Sequence, residues 1–229
     1  MSEERYNFMQ YKVDLHTHSI LSHDGGLSEQ DYRNILDAGI LDCIAVTDHD
    51  ETAFAVKLHG QLGEKIIVGE EISTRDGHII GLFITQRIAH DQDATITVRQ
   101  IHEQDGLVYI PHPFERLRKG VQDNVLRRIA NEIDIMEVFN ARSAIRGKPK
   151  QAEAFARQYG IVMASSSDAH SYAGVGSAYT VISDMPDRKT IQSLLANGEM
   201  YKHYVPPSAY LSPFFNTLKK MLHPITHNQ

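Results

Sequence analysis

The chain has 229 residues, a hydrophobic fraction of 41% and a formal net charge of −6. This length and apolar content suit one large domain with a sizeable core and exclude a disordered chain. The acidic balance excludes a broad basic nucleic-acid face, and a single cysteine, Cys43, excludes a disulfide framework within the chain and points to a reducing compartment.

Met1–Gln10 is polar and mixed in charge, with no apolar signal-peptide centre. No stretch reaches the roughly 18 apolar residues of a membrane span, so a cytoplasmic protein with no membrane partner is expected. Short β-branched runs then predict strands over Lys12–Leu15, Cys43–Thr47, Ile66–Val68, Ile79–Thr85, Leu107–Ile110, Ile135–Val138, Ile161–Ala164 and Tyr179–Ile182. Cys43, at the head of Ile44–Ala45–Val46, reads as a small buried hydrophobe. Helical patterns lie between the runs: Ser28–Ala38 closed by Gly39, Thr52–Leu62 closed by Gly63, Thr95–Gln104 closed near Gly106, then Gln122–Glu132, Lys148–Tyr159 and Asp187–Asn197. Strand, helix and strand with short connections predict a parallel α/β fold. After Gly198 the composition changes. Pro206, Pro207 and Pro213 precede a short apolar helix, Phe214–Leu222. The expected organisation is a barrel domain over residues 1–200 and an arm over 201–229, packed on its own barrel or on a second subunit.

Thirteen histidines are many for this length, and they are not scattered. His16 and His18 follow the first strand two residues apart, so in extended chain both imidazoles project to one side. Asp48-His49-Asp50, Glu70-Glu71, His112 and Asp168-Ala-His170 each follow a predicted strand, where parallel α/β sheets and barrels place their active sites. His78 begins its strand, and periodicity does not account for it. Neutral imidazole and carboxylate are ligands for Zn²⁺, Mn²⁺ and Fe²⁺, and clustered buried groups of this kind require cations or solvent.

The motifs Asp14-Leu-His-Thr-His-Ser19, Thr47-Asp-His-Asp50, Gly69-Glu-Glu-Ile-Ser73, His112-Pro113 and Ser167-Asp-Ala-His170, in this order, resemble the polymerase and histidinol phosphatase (PHP) domain family, most closely its stand-alone phosphoesterase branch. The resemblance implies a distorted (β/α)7 TIM-like barrel with a metal cleft at the C-terminal ends of its strands and two or three divalent ions. It implies that His16, His18, Glu71 and Asp168 hold one metal. Glu71 bridges to a second, completed by His78 and His112. His49 and His170 hold a third with Asp24, because Asp24–Gly25 matches the family's Asp-Gly, or with His23. Asp14 is expected to support the site, and Asp48 and Asp50 to cap and hydrogen-bond beside it. Glu137 and Asn140 resemble the family's Glu-x-x-Asn stretch.

A phosphate ester also needs positive charge from the protein. Arg116, Arg118 and Lys119 follow His112–Pro113, and Arg142 follows Asn140; Arg142 and Arg116 are the chosen candidates. His170 or His49 is the expected proton donor to a leaving group. His59, His90, His102, His203, His223 and His227 are expected to be structural or surface residues. The function expected is hydrolysis of a small phosphorylated substrate: a phosphomonoester, a nucleotide or a short RNA. The alternatives are an amidohydrolase-like enzyme, for which no lysine stands at a motif strand end, and a non-catalytic metal-stabilised binding domain. Self-association through the C-terminal arm is a further expectation.

Overall fold

A computed structural model describes residues 10–145 and 147–222; the polar stretch before Gln10 and the histidines His223 and His227 lie outside the described residues. The apolar runs form β1 (Tyr11–Thr17), β2 (Cys43–Val46), β3 (Ile66–Thr74), β4 (Gly77–Leu82), β5 (Leu107–Ile110), β6 (Ile135–Asn140), β7 (Val162–Ser166), β8 (Ala178–Ile182) and β9 (Glu199–Lys202). Between and after them lie α1 (Glu29–Asp37), α2 (Ala53–Leu62), α3 (Ala94–Glu103), α4 (Asp123–Ile129), α5 (Pro149–Tyr159), α6 (Ile191–Ala196), α7 (Pro207–Tyr210) and α8 (Ser212–Leu222). The helix signals act as their chemistry dictates. Ser28 closes a capping box with Asp31 at the start of α1, and Gly160 ends α5 in the left-handed conformation at φ 67°.

The sheet order is β7-β6-β5-β4-β3-β2-β1-β8-β9. β1, β2 and β3 run parallel, as do β5, β6 and β7. β4 lies antiparallel between β3 and β5. A parallel bridge from Thr17 to Ala169, with His18 N donating to Ala169 O at 2.9 Å, brings the two ends together. The result is the distorted, nearly closed barrel implied by the sequence, with one reversed strand. β8 pairs antiparallel to β1, and β9 to β8.

Alternation explains why the strands read as continuous apolar runs. Cys43, Ala45, Leu107, Tyr109 and Ile135 point into the barrel beside Val13 and Leu15. Ile44 and Val46 point outward against Tyr32 and Ile35 of α1 and Leu58 of α2, while Val108, Ile110, Met136 and Val138 meet α3, α4 and α5. Both faces of β2, β4, β5 and β6 are thus largely buried, whereas β9 is exposed on one face.

The structure departs from the expected elements chiefly in β3 and β9; β4 also ends at Leu82, α6 spans only Ile191–Ala196, and α7 is an added turn of helix. β3 continues through Gly69, Glu70 and Glu71 to Thr74, because it forms a hairpin with β4 that pairs Thr74 with Gly77. β9 was not expected; it follows Gly198, where the composition changes, and runs across the expected boundary between residues 200 and 201. Among the described residues no helix is long and apolar enough to cross a membrane.

Candidate metal centre

The barrel's interior is apolar in its lower part and polar at the C-terminal ends of its parallel strands. There β1 contributes His16, with His18 just beyond it, and β3 contributes Glu71. His49, His112, Asp168 and His170 follow β2, β5 and β7. His78 joins them because β4 runs backwards: the start of an antiparallel strand lies level with the ends of its parallel neighbours. Asp24 arrives on the loop after β1.

Glu71 is the hub. Its Oε2 lies 3.2 Å from both His16 Nε2 and His18 Nε2, and its Oε1 lies 2.8 Å from His78 Nδ1 and 3.0 Å from His112 Nε2. One carboxylate thus faces two sets of imidazoles with its two oxygens. Asp168 Oδ1 lies 3.6 and 3.4 Å from the His16 and His18 Nε2 atoms. Asp24 Oδ2 lies 3.1 Å from His170 Nε2 and 3.9 Å from His49 Nε2. His23 stands at the cleft edge with its side chain 67% exposed, its Nε2 3.9 Å from Asp24 Oδ2 and its ring centroid 4.9 Å from that of His49. Ligand-capable atoms within 4.8 Å of one another fall into four overlapping groups: His16–His18–Asp168, His16–Glu71–His112, His49–Glu71–His78 and His18–Asp24–His49–His170.

Supporting carboxylates orient the rings. Glu137 Oε1 accepts from His16 Nδ1 and Tyr109 Oη, both at 3.0 Å, and its Oε2 accepts from His112 N at 2.6 Å and Asn140 Nδ2 at 2.9 Å. With its Nδ1 against Glu137, His16 turns its Nε2 to the cluster. Asp14 accepts from Ser167 N at 3.1 Å and from the Ser167 hydroxyl, tying β1 to the segment that carries Asp168. Asp48 accepts from Ser19 N at 2.6 Å, and Asp50 Oδ1 from Ser73 N at 2.7 Å. Glu70, on the opposite face of β3 from Glu71, accepts from Ile88 N at 2.8 Å.

The electrostatics follow from burial. Burial holds His112 down to about 3, with Arg118 beside it adding to the effect, and it holds His49 and His170 well below the ordinary imidazole value. These rings are neutral at physiological pH. Burial opposes the charge on His16 too, but Glu71 and Glu137 outweigh it and raise the ring to about 9. Burial would raise Glu71, yet His49, His78 and His16 around it hold its carboxyl well below the usual range. Burial raises Asp14 to about 7.

The donor set fits divalent metal ions. His49 Nδ1, His112 Nδ1 and Asp168 Oδ1 are buried and have no hydrogen-bond partner, a costly condition unless something else completes them. His112 and Asp168 also occupy left-handed backbone at φ 30° and 52°, strain of about 1–3 kcal/mol per residue that tends to concentrate at functional sites. Nitrogen and oxygen ligands of this mixture suit Zn²⁺, Mn²⁺ and Fe²⁺.

Above the cluster opens a cleft of about 240 Å³. Arg118 ion-pairs with Asp168 there, and its Nη1 donates to Asn140 Oδ1 at 3.0 Å and Ser143 Oγ at 3.1 Å. Arg142 Nη1 lies 3.5 Å from Asp168 Oδ1, and Arg142 Nε is buried without a partner. Burial, with Arg118 nearby, lowers Arg142 to about 10, which leaves it charged at neutral pH. Arg116, the other arginine selected from the sequence, is exposed and does not line the cleft. It opens the short 3-10 turn Arg116–Arg118, so a residue two positions away faces another direction. Arg118 lines the cleft instead. Outside the cleft, His59 Nδ1 meets Ile66 O at 2.6 Å and His102 Nε2 meets Asp134 Oδ2 at 3.1 Å, both as structural contacts.

A parallel barrel that buries histidines and carboxylates at its strand ends, beneath a cleft bearing arginine, belongs to the metal-centre α/β barrels. The PHP-associated family model matches residues 149–199. The Methanocaldococcus jannaschii protein MJ0417, itself uncharacterized, is 36% identical over 184 residues, 76% of this chain and 71% of its own. A two-domain Bacteroides vulgatus protein containing a predicted PHP-like metal-dependent phosphoesterase superposes with a TM-score of 0.68 at 19% identity, covering 91% of this chain and 70% of that one. A lesion-specific endonuclease of Pyrococcus furiosus gives 0.63 at 15% identity, covering 84% and 58%. The chain belongs to the PHP domain family.

Proposed function

We propose that the chain is a metal-dependent phosphoric ester hydrolase acting on a small phosphorylated substrate: a phosphomonoester, a nucleotide or a short oligonucleotide. The observation that carries this reading is the pairing of Arg118 and Arg142 with Asp168 at the mouth of the histidine–carboxylate cluster. Two guanidiniums over a metal-type donor set make a cleft for an anion, and a planar guanidinium matches phosphate oxygens. Arg142 Nε, buried and without a partner, is a donor ready for such an oxygen.

In this reading His16, His18, Glu71 and Asp168 hold one ion, Glu71 with His78 and His112 a second, and Asp24, His49 and His170 a third. Two or three divalent ions there, zinc, manganese or iron, would polarise the phosphoryl group and make a water acidic near neutral pH. Glu137 fixes the His16 ring, and Asp14 holds the Asp168 segment against β1. Arg142 and Arg118 grip the non-bridging oxygens and offset the charge that grows on them. Water would attack phosphorus as the ester P–O bond breaks, and the leaving oxygen would take its proton from solvent at the open cleft, because His170 and His49, the donors expected from the sequence, are held neutral by burial and serve as ligands in this reading.

The same proposal keeps the expected cytoplasmic location, in line with the single buried Cys43, and the division into a barrel over residues 1–200 and an arm over 201–229. It also keeps self-association through the arm's outer face, which light scattering checks. The function is tested by stripping the protein with a chelator, restoring single metals and measuring phosphate release from an aryl phosphate, nucleotides, bisphosphates and sugar phosphates. Metal-dependent release is the expected result. Turnover of amides or lactones with no phosphate ester hydrolysed would replace this reading with the amidohydrolase one.

A further inference from the structure

α8 sits on the barrel with its faces exchanged. Phe214, Phe215, Leu218, Met221 and Leu222 are exposed, Phe214 by 67% and Met221 by 75%. The residues it turns toward the barrel include Asn216 and Lys220, one helical turn apart. A helix docked only for packing would bury the phenylalanines; this one turns half-buried polar groups toward particular partners.

Those partners are the backbones of two of the proposed ligand residues and the loop between β1 and α1. The single amide nitrogen of Asn216 donates to Asp24 O at 2.9 Å and to His170 O at 2.8 Å. Asp24 and His170 are 146 positions apart in sequence, yet their side chains meet at 3.1 Å. Lys220 Nζ donates to Ser22 O and, at 2.6 Å, to Gly25 O, closing the turn that presents Asp24. The contact has a matching seat. A Cβ at Gly26 would lie 2.7 Å from Asn216 Nδ2 and 2.8 Å from His170 O, so only glycine leaves room for the amide. A Cβ at Gly25 would collide with Ser19 O.

We propose that α8 is a positioning element for the Asp24–His49–His170 group, acting through Asn216 and Lys220. The proposal rests on the metal-centre reading above. Asn216 spans the two segments that deliver Asp24 and His170, and so fixes their separation from outside the cleft. Lys220 holds the loop's turn so that Asp24 points at His170 and not into solvent as His23 does. Asn216 and Lys220 reach these segments through backbone carbonyls, so the helix acts by position and takes no part in the chemistry.

The test is titration of Mn²⁺ into the metal-free full chain, followed calorimetrically, for wild type, Asn216→Ala, Asp24→Asn and the double variant. Asn216→Ala should weaken the affected site by about tenfold or more, the scale expected when a ligand's supporting partner is lost, while metal-free melting stays near wild type. The double variant should bind no more weakly than Asp24→Asn alone, because both act on one site. Lys220→Met should weaken the same site and Lys220→Arg retain it, and this pair decides the matter if Asn216→Ala does not fold. Wild-type affinity in Asn216→Ala or Lys220→Met, or losses that simply add in the double variant, overturns the role of α8 and leaves the metal centre standing. A wild-type protein that binds no Mn²⁺, Zn²⁺ or Fe²⁺ overturns both.

Discussion

Within one strand, β1, Val13 and Leu15 are buried against carbon, while His16 and, one residue beyond the strand, His18 are buried against nitrogen and carboxylate. The same contrast runs round the barrel. Leu107, Tyr109 and Ile135 fill its lower part, and Glu71, Glu137 and Asp168 crowd its upper rim. Both regions are equally shielded from water, so burial alone does not separate them. The lower layer supplies stability through removal of apolar surface. The upper layer costs stability, since its charged and orphaned groups were desolvated without full partners, and that cost is offset when cations bind the folded state.

The largest expected effect is at the rim. Asp168→Asn or His16→Ala should abolish phosphate release and lower the bound metal. Both variants should remain folded when metal-free, which circular dichroism checks, although each loses buried partners and melts lower than wild type. Full activity in either variant would break the contrast at its centre. The lower layer should behave in the opposite way: Leu107→Ala should cost about 2–5 kcal/mol in denaturant unfolding and leave metal affinity per folded molecule unchanged.

Effects of intermediate size test the supports. Glu137→Gln removes the carboxylate charge behind His16 and should weaken metal binding by about 10–100-fold, measured by competition with a chromophoric chelator. Proton competition gives the pH dependence. His16 has an ordinary value of 6.5 and is raised to about 9 in the folded chain. Its proton therefore stabilises the metal-free fold fully below about pH 6.5, and that contribution is lost as the pH rises through 9. A metal must displace this proton, so affinity should climb from pH 7 to 9 and level off beyond. An affinity flat across that range would contradict this proton competition at His16. The smallest effect concerns Cys43, whose thiol is pushed up to about 12 by burial, with Asp42 adding to it. It should resist thiol reagents in the native protein and react on unfolding.

Much of this contrast is legible in the sequence, and the illegible parts have physical causes. His16, His18, His49, His112 and Asp168 announce themselves because polar ligand types follow β-branched runs, and parallel strands end on one rim. His78 could not be placed that way. Its position depends on the reversal of β4, which is a property of pairing between strands and not of the local pattern. Glu70 and Glu71 hid the length of β3, because two adjacent carboxylates read as a strand end although alternation buries both. Arg118 lost to Arg116 because a 3-10 turn rotates neighbours away from each other within two residues. Glu137 and Asn140 stand out in the sequence only through the family resemblance of their stretch; their hydrogen bonds to His16, His112 and Asp168 show what they support. The role of Asn216 and Lys220 was hidden by the apolar periodicity of α8, which predicts that the opposite face packs inward.

The central claim is that the rim is a metal centre, and X-ray diffraction from metal-loaded crystals, recorded on both sides of the metal's absorption edge, tests it most directly. The account predicts anomalous peaks between His16, His18 and Asp168 and between His78 and His112, with Glu71 shared by the two, and it places Asp24, not His23, beside any third ion. Loaded crystals with no anomalous peak among these side chains would contradict it.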